Sequence, residues 1–590
     1  MKAKIICPIL LVLIIAGHLL ANIEWQARNV GPDMWDQASY LLLSEKIYAK
    51  SRSGGWAAFG EAFLKEDRQR APLVPAVWGG FYSLFGNTRS SAHWGNHIAL
   101  VVLCLSVYGI GRRLAGPWCG LAAAWITMMF PIMFGLSRQL YVEFPLTAAA
   151  AAIAWLCIAS KGLRRYPVCV LLGVAIGAGL LVKITLPIFI VGPLLVAFGL
   201  NVLYAHKKAP LVYASLLLLS FVLILVPAFL IAAPWFGYNL NQWLKFMAEN
   251  VSGHRGGIYG MVILEYLSLH GWLTFFSIYL AIAAVLVALN LIFRKRGPAR
   301  AAPSSGDARE RRATLDTVIL WLVIPLIVGL YAATKDVRLI APALPAFGLL
   351  VAYLLVRITA GWTRAVTGVL LVLIVVPYYF VSFGTPFDST KNPDVPPSFG
   401  MLNPKYFLGQ WSRGIYACGP NEDDWRGKEV LVKIRDAIPG QMKRTMERGK
   451  SAAGVIVVTN HPFFEANWFQ YLDRRGALEG GQAAALNFAF LDYYNENASP
   501  QLFARQLLAA HFVLAKDSGW QGPEFTTRWF AELMYAVRHS DLFEKIPCEI
   551  VLPDGSKVVI FFNRKSTWPV EDQDELAELQ KEFLELLGVR

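Results

Sequence analysis

Acidic residues are scarce in the first 384 residues of this 590-residue chain. That part holds 14 of the 41 Asp and Glu but 32 of the 55 Lys and Arg, whereas residues 385–590 hold 27 acidic and 23 basic residues. The net charge of +14 therefore comes from the first part. Its basic residues form short clusters between apolar runs, where they suit contacts with anionic lipid, so the charge does not indicate nucleic-acid binding.

Cysteine is also scarce, and its spacing excludes a cysteine-based zinc site. The chain has seven Cys and no Cys-x-x-Cys or Cys/His zinc pattern. Five of them fall in apolar runs, where cysteine packs as a small apolar side chain. Cys418 and Cys548 stand apart in the C-terminal part, and the sequence leaves open whether they form a disulfide or remain two thiols. A Gly-rich nucleotide loop and internal repeats are also lacking, so no nucleotide cofactor is implied.

Apolar sequence, by contrast, is abundant. Hydrophobic residues make up 56% of the chain, and the mean hydropathy is +0.45. About eleven runs approach the roughly 20 residues that cross a bilayer. The first follows Lys2 and Lys4 without a clean cleavage site, so we expect an uncleaved span. The runs lie near 5–22, 95–115, 117–137, 143–160, 166–182, 184–205, 210–233, 269–293, 315–334, 338–356 and 365–384.

The charged clusters between these runs alternate in character and so predict a topology. One set is almost purely basic, and short cytoplasmic loops carry the Lys/Arg excess. The other set is mixed, lies closest to the apolar runs and is placed on the external side, where ionisable residues near hydrocarbon are functional candidates. The basic set is Arg112-Arg113, 161–165, Lys207-Lys208, 294–312, Arg357 and Arg364; the mixed set is Asp33/Asp36, Arg138/Glu143, Lys183, His254-Arg255 and 335–338.

This pattern divides the chain into a membrane domain and an external domain. Residues 1–384 form the membrane domain, with an external loop at 23–94 that contains an amphipathic helix from Trp35 to Tyr48 and an interfacial helix from Pro72 to Phe85. The 294–314 segment reads as a disordered cytoplasmic loop. Residues 385–400 are a Pro-rich linker.

Residues 401–590 read as a small extracytoplasmic α/β domain. We expect strands at 454–459, 511–515, 549–552 and 558–562, the last two joined by a hairpin turn at Pro553-Asp554-Gly555. Helices are expected at 464–475, 524–538 and 572–587. The predicted fold class is therefore a multi-span α-helical membrane protein with about 11 transmembrane helices and a C-terminal extracytoplasmic α/β domain.

Two carboxylate sites face the external side. Asp33 and Asp36 lie in the first loop, and Glu143 opens an apolar helix after Arg138 and Tyr141. Carboxylates at these places also suit helix capping and the helix dipole. At the membrane edge, however, they suit general-base work on a hydroxyl group.

Cations collect on the same predicted side. Lys183 stands between two spans, where it can snorkel or hold a lipid phosphate. Lys335, Arg338 and Arg255 add charge, and the glycines around His254-Arg255 indicate a mobile lid. The spacing of His254 and His270 gives no support for a metal site, so no metal or other cofactor is expected.

The order of these features resembles the polyprenyl-phosphate-sugar-dependent glycosyltransferases of the GT-C superfamily, specifically family 39, the protein mannosyltransferase and aminoarabinose transferase group. Asp36 to Tyr40 is similar to that family's Asp-Glu-x-x-Tyr motif, with Gln37 in place of the Glu, and the resemblance makes Asp36 the catalytic Asp. Other similar elements are Arg70 to Leu73 with Phe81 to Gly86, Ser137 to Leu146 with Glu143 for the usual Asp, Gly173 to Lys183, Pro234-Trp235, and Lys335 to Pro345 with Leu339 for Tyr.

The resemblance implies transfer of one sugar from an undecaprenyl- or dolichyl-phosphate donor to an acceptor on the external face. Asp36 acts as the base in an inverting displacement, with Glu143 and Asp33 as the other catalytic candidates. Lys183, Arg338, Arg255 and Lys335 would bind the donor phosphate. The sugar and acceptor pocket would contain Tyr40, Arg138, Tyr141, Trp235 and His254.

The partners implied are this lipid, surrounding membrane lipids, and an acceptor that is a glycolipid, a polysaccharide or a protein, with no nucleic acid. We expect a bacterial cytoplasmic membrane, with the active site and the C-terminal domain on its periplasmic side. Two other functions stay open. A transporter or flippase of lipid-linked sugars would need polar residues at the span centres, which are nearly free of charge here. A non-catalytic envelope assembly protein would tolerate a change at Asp36.

Overall fold

The structure is a computed structural model, and it describes most of the membrane part and much of the C-terminal domain. Two compact units are formed: one by residues 1–28, 43–251 and 257–420, and the other by residues 29–42, 252–256 and 421–590. Apart from a few isolated positions, the described residues are 2–34, 36–205, 210–252, 305–331, 337–357, 420–440, 452–459, 461, 463–478, 486–491, 500–517 and 524–564.

The first unit is built from helices. Within the described residues, six helices are long and apolar enough to cross a bilayer, and three shorter apolar helices accompany them. In chain order the helices are α1 (Lys2–Arg28), α2 (Asp36–Lys65), α3 (Leu73–Phe85), α4 (Arg89–Ala115), α5 (Pro117–Met129), α6 (Pro131–Arg138), α7 (Glu143–Ala159), α8 (Tyr166–Val182), α9 (Leu186–Ala205), α10 (Pro210–Ser252), α11 (Ser305–Tyr331), a 3₁₀ helix (Val337–Ala343) and α12 (Leu344–Arg357).

The expected spans agree with these helices at most boundaries. The run at 117–137 is instead two helices, because Pro131 lacks the N–H that would continue α5, and Phe130 takes an extended conformation between them. The expected helix from Trp35 continues through Lys65 with a break at Gly54 and Gly55. The runs expected near 269–293 and 365–384 fall outside the described residues, apart from the single position Val369.

The expectation of a disordered loop at 294–314 is wrong over residues 305–314, which form the first turns of α11. Ion pairs stabilise this charged extension: the Arg312 guanidinium lies 3.0 Å from Asp316 one turn later, and Lys161 Nζ lies 2.9 Å from Glu310. Thr314 and Thr317 hydroxyls also donate to carbonyls one turn back. Arg and Glu are good helix formers, so an Arg-rich composition is compatible with a helix as well as with a loop.

The second unit contains a five-stranded mixed sheet. Its strand order is β2-β1-β3-β5-β4, with β1, β2 and β3 parallel and β5 antiparallel to both neighbours. The strands are β1 (Ala453–Val457), β2 (Leu486–Phe490), β3 (Phe512–Lys516), β4 (Phe543–Ile546) and β5 (Val558–Asn563). Among the residues described in this unit, the helices are α13 (Gly427–Asp436), α14 (Ala466–Leu478), α15 (Pro500–Ala509) and α16 (Glu524–His539).

Apolar side chains cover both faces of this sheet. Val455 and Val457 belong to the core on one face, and Ile456 and Val458 belong to the core on the other, as the two-residue period of a strand requires. A sheet buried on both faces matches the near-continuous apolar sequence of β1 and β3.

Some expectations for this domain differ from the structure. The segment expected as a strand at 549–552 makes only an isolated bridge between Val551 and Lys557, while the turn at Gly555 is present with a positive φ. Strands β2 and β4 were not expected. The helix expected at 572–587 falls almost entirely outside the described residues. Cys548 is a half-buried free thiol, and Cys418 lies outside the described part of the chain.

Candidate active site

The first-loop carboxylates lie at the start of α2. Asp36 is the first residue of the helix, and the Gln37 N–H donates to the Met34 carbonyl 3.0 Å away, which closes the turn before it. Asp33 is buried and Asp36 is half-buried. Tyr40 follows one helical turn after Asp36 and is also buried. All three belong to the compact unit that contains the C-terminal domain.

A second site in the membrane unit joins two of the predicted phosphate ligands to Glu143. Lys183 Nζ lies 2.7 Å from Glu143 Oε1, and the Arg338 guanidinium Nε lies 3.7 Å from the same oxygen. The Glu143 side chain is 3% exposed, whereas those of Lys183 and Arg338 are 23% and 16% exposed. A nearly buried carboxylate thus holds two cations that remain open to their surroundings.

Local backbone structure brings these residues to helix ends. Glu143 is the first residue of α7, after the non-helical segment 139–142. Lys183 is extended at the end of α8, and its carbonyl accepts from the Leu186 N–H at the start of α9. Arg338 lies in the 3₁₀ helix that precedes α12. The charges therefore stand where apolar helices end and not at their centres, as expected from the cost of burying charge in hydrocarbon.

Buried polar contacts fix the approach to Glu143. Asn96 Nδ2 donates to the carbonyl of Gln139 at 2.6 Å, and Asn22 Nδ2 donates to Ser137 Oγ at 2.9 Å. Thr147 Oγ1 donates to the Glu143 carbonyl within the first turn of α7. These bonds satisfy buried polar groups and hold the chain between α6 and α7 in one conformation.

Aromatic rings support the neighbouring guanidinium groups. Arg338 lies 4.6 Å from the ring centre of Tyr141, and Arg138 lies 5.5 Å from that of Trp25. Both distances suit cation–π contacts. The structure therefore brings together Tyr141, Glu143, Lys183 and Arg338, four residues that the sequence had singled out.

Of the other predicted site residues, Trp235 is described by the structure and three are not. Trp235 is buried in α10, where its ring packs edge-to-face on Phe236. His254, Arg255 and Lys335 lie outside the described residues. Across the described ranges, no cluster of three or more His, Cys, Asp or Glu side chains could hold a metal ion.

Glu465 is a buried acidic residue in the same compact unit as Asp36, and the sequence analysis did not single it out. It precedes α14, and its carboxylate oxygens accept from the backbone N–H groups of Asn467 and Trp468 at 3.1 and 3.0 Å. The side chain is fully buried. Burial raises the pKa of Glu465 well above 4.5, and the negative charges of Asp36 and Asp33 add to that effect. The available signal was a carboxylate at the start of the helix expected at 464–475.

A second set of buried titratable groups lies at the carboxyl ends of β1 and β3. Lys516 forms an ion pair with Asp554 and lies 5.3 Å from the ring centre of Trp425. Burial and the Lys516 charge lower the pKa of His461 to about 3. Asp554 also accepts from Ser556. These bonds anchor the 553–556 turn to the sheet, which is a structural role.

Comparison with known proteins agrees with this architecture. A family model described as dolichyl-phosphate-mannose-protein mannosyltransferase matches residues 69–230. The crystal structure of ArnT from Cupriavidus metallidurans bound to undecaprenyl phosphate is similar with a TM-score of 0.53 at 14% identity, over 93% of this chain and 97% of that chain. The apo form of ArnT gives the same TM-score and coverage at 13% identity.

A weaker similarity, with a TM-score of 0.48 at 13% identity, is to the archaeal oligosaccharyltransferase AglB from Archaeoglobus fulgidus, over 97% of this chain and 75% of that chain. A search of curated protein sequences finds no match to this chain. The ArnT similarity confirms the expected fold class: the chain is a multi-span helical membrane protein of the GT-C type with a C-terminal α/β domain. The matched family model supports the GT-C glycosyltransferase class to which the sequence motifs point.

Proposed function

We propose that this chain is a membrane glycosyltransferase that moves a single sugar from a polyprenyl phosphate to an acceptor on the external membrane face. The convergence of Lys183 and Arg338 on Glu143 carries the proposal. Two partly exposed cations at the ends of apolar helices suit a phosphate whose hydrocarbon tail lies among the spans. The matched family model and the GT-C fold support the same reaction class.

In this reaction Asp36 is the general base. Its carboxylate takes the proton of the acceptor hydroxyl, and the acceptor oxygen attacks the anomeric carbon of the donor sugar. The bond between that carbon and the phosphate oxygen breaks, and its electron pair stays on the leaving polyprenyl phosphate. One displacement inverts the anomeric centre. Asp36 suits this role because it is a half-buried carboxylate at the first residue of α2, one helical turn before Tyr40, as in the family motif that this segment resembles.

Lys183 and Arg338 stabilise the phosphate as it leaves. Fixed cations in a site of low dielectric lower the energy of the developing charge without reorganising during the reaction. Glu143 keeps both cations at one point in the absence of the donor, and the stacking of Arg338 on Tyr141 limits the rotation of its guanidinium. Arg255, Lys335 and His254 remain proposed donor and acceptor ligands.

The related ArnT structure contains undecaprenyl phosphate, which favours a donor of that type. A donor of this type suits the bacterial cytoplasmic membrane, with the active site on its periplasmic side. The membrane domain would then comprise residues 1–384 and the external domain residues 401–590, joined by the linker at 385–400.

A strain that lacks this chain tests the function. Mass spectrometry of its glycolipids and glycoproteins should show the loss of one sugar from one class of molecule. The wild-type gene should restore that sugar, and Asp36→Asn should not, although the variant chain reaches the membrane in normal amounts. Glu61→Gln, at an exposed carboxylate of the same helix, is the matched control and should restore the sugar as the wild type does. Full restoration by Asp36→Asn would show that Asp36 is not the base.

A further inference from the structure

The segment that leads to Asp36 is hydrogen-bonded to Asn421, the residue at which the C-terminal part of its compact unit begins. The backbone N–H groups of Val30 and Gly31 both donate to the Asn421 carbonyl, at 2.8 and 2.9 Å. The Asn421 N–H donates in return to Asn29 Oδ1 at 2.7 Å. Three hydrogen bonds thus join residues 29–31 to one residue that lies far away in the sequence.

The side chain of Asn421 also explains the glycine at position 31. A Cβ atom placed on Gly31 would lie 2.4 Å from Asn421 Nδ2, 2.5 Å from its Cγ and 2.7 Å from its Cβ. Contacts this short do not occur between real atoms, and Cβ of Asn421 cannot move away by a change of rotamer. Any other residue at 31 would therefore displace the segment from Asn421.

The contact lies close in sequence to the first-loop carboxylates. Asp33 follows Gly31 by two residues, and Asp36 opens α2 shortly afterwards. The Asn421 side chain is itself fixed, because its Oδ1 accepts from the Asp423 N–H at 3.2 Å, and α13 begins soon after. Both carboxylates belong to the same compact unit as the α/β domain.

We propose that the external α/β domain positions the catalytic carboxylate, with Asn421 as the residue that fixes the loop carrying Asp36. This inference rests on the proposed function for the role of Asp36. Asn421 touches no reacting atom. It fixes the position of residues 29–31. Because only a few residues separate this segment from α2, the position of Asp36 is restricted as well. A displacement of a catalytic group by about 1 Å costs on the order of 100-fold in rate.

A pair of substitutions tests the contact. Gly31→Ala should reduce turnover at least tenfold, leave the KM for the lipid donor unchanged and leave the amount of chain in the membrane unchanged. Asn421→Gly removes the three clashing atoms and keeps the backbone hydrogen bonds, so the double variant Gly31→Ala/Asn421→Gly should recover most of the lost turnover. Gly60→Ala is the control, because a Cβ at Gly60 would meet nothing within 4 Å.

Several outcomes would overturn the inference. Wild-type turnover in Gly31→Ala would show that the contact does not position the loop. A double variant no more active than Gly31→Ala would show that the loss has another cause, and a raised donor KM with unchanged turnover would indicate a binding role. Asp36→Asn is assayed in parallel: if it stays active, the proposed base is wrong, while rescue of Gly31→Ala still reports whether Asn421 positions the loop.

Discussion

In the proposed mechanism Glu143 organises the phosphate site, while Asp36 is the reactive group. Its Oε1 atom is shared by Lys183 at 2.7 Å and Arg338 at 3.7 Å, and the carboxylate is almost inaccessible. A buried charge of this kind is tolerated only when it is paired, and removal of a partner leaves an uncompensated charge. The pairing keeps the two cations together at the site where we propose that the lipid phosphate binds.

Lys183→Ala should weaken binding of the polyprenyl-phosphate donor by about tenfold to hundredfold, the equivalent of roughly 1.5–3 kcal/mol for a charge-assisted contact. The dependence of turnover on acceptor concentration should not change. Donor titration of the purified variant measures the effect. Lys161→Ala is the matched control, since Lys161 pairs with exposed Glu310 in the predicted cytoplasmic set. Equal donor affinity in wild type and Lys183→Ala would leave Lys183 with only a snorkelling role.

Glu465 gives a prediction about pH. Its pKa is raised in the folded chain, so above about pH 4.5 the unfolded chain ionises while the folded chain keeps the proton. Burial of Glu465 therefore costs no stability through this proton below that pH. Above it, the free energy of unfolding falls by about 1.4 kcal/mol for each pH unit until the pKa of Glu465 in the folded chain is reached.

Glu465→Gln cannot ionise, and so its stability relative to wild type should increase from pH 4 to pH 8. Thermal unfolding in detergent at each pH measures this difference. Glu429→Gln, at an exposed carboxylate, should show no such trend. A Glu465→Gln difference that stays constant with pH would contradict the assignment.

At the scale of elements, glycines determine how closely helices approach. A Cβ on Gly173 of α8 would lie 2.2 Å from the backbone oxygen of Ile224 in α10. The same two helices meet again at Gly177, where a Cβ would lie 2.8 Å from the Ala228 oxygen. The Gly-x-x-x-Gly pattern that resembles the GT-C motif thus has a packing role, as in other membrane helix pairs.

Gly173→Ala should push α8 away from α10 and lower the free energy of unfolding by about 1–3 kcal/mol. Gly199→Ala in α9 meets nothing within 4 Å and should be neutral or stabilising, by up to about 1 kcal/mol from helix propensity. Thermal unfolding in the same detergent compares the two variants. Equal melting temperatures for Gly173→Ala and Gly199→Ala would show that the close approach of α8 and α10 at Gly173 does not contribute to stability.

The sequence predicted elements best where a single local signal decides them. Glu143 opens α7 and Lys183 ends α8 as expected, because a charge beside an apolar run marks the end of a span. Strand β4 was missed because it is a short edge strand, Phe543–Ile546, with two charged residues. The sharing of Glu143 by Lys183 and Arg338, and the bond from Asn421 to the first loop, could not be predicted, since tertiary packing alone brings distant segments together.

At the scale of the whole molecule, the ion pairs of Lys161 and of Glu143 each join residues that were assigned to the same side of the membrane. Lys161 pairs with Glu310, and both lie in clusters assigned to the cytoplasm. Glu143 pairs with Lys183 and Arg338, and all three lie in clusters assigned to the external side. Neither contact requires a charge to cross the hydrocarbon.

Topology reporters inserted at Gly306 and Lys450 should therefore report opposite sides of the membrane, the first cytoplasmic and the second external. The reason is the Lys/Arg excess of the basic set of clusters. Paired alkaline phosphatase and fluorescent protein fusions measure the side of each site. The same side for both would exclude the topology, and with it an external active site.

Acceptor-dependent release of polyprenyl phosphate is the most direct measure of the proposed reaction. Purified chain is incubated with the whole cell-envelope fraction of a strain that lacks it, which supplies both the donor lipid and the unmodified acceptor, and the free polyprenyl phosphate is quantified by mass spectrometry. The wild-type chain should release it as the acceptor gains one sugar, while Asp36→Asn should bind the donor lipid and release none. Release by Asp36→Asn at the wild-type rate, or no release by the wild type, would contradict the mechanism.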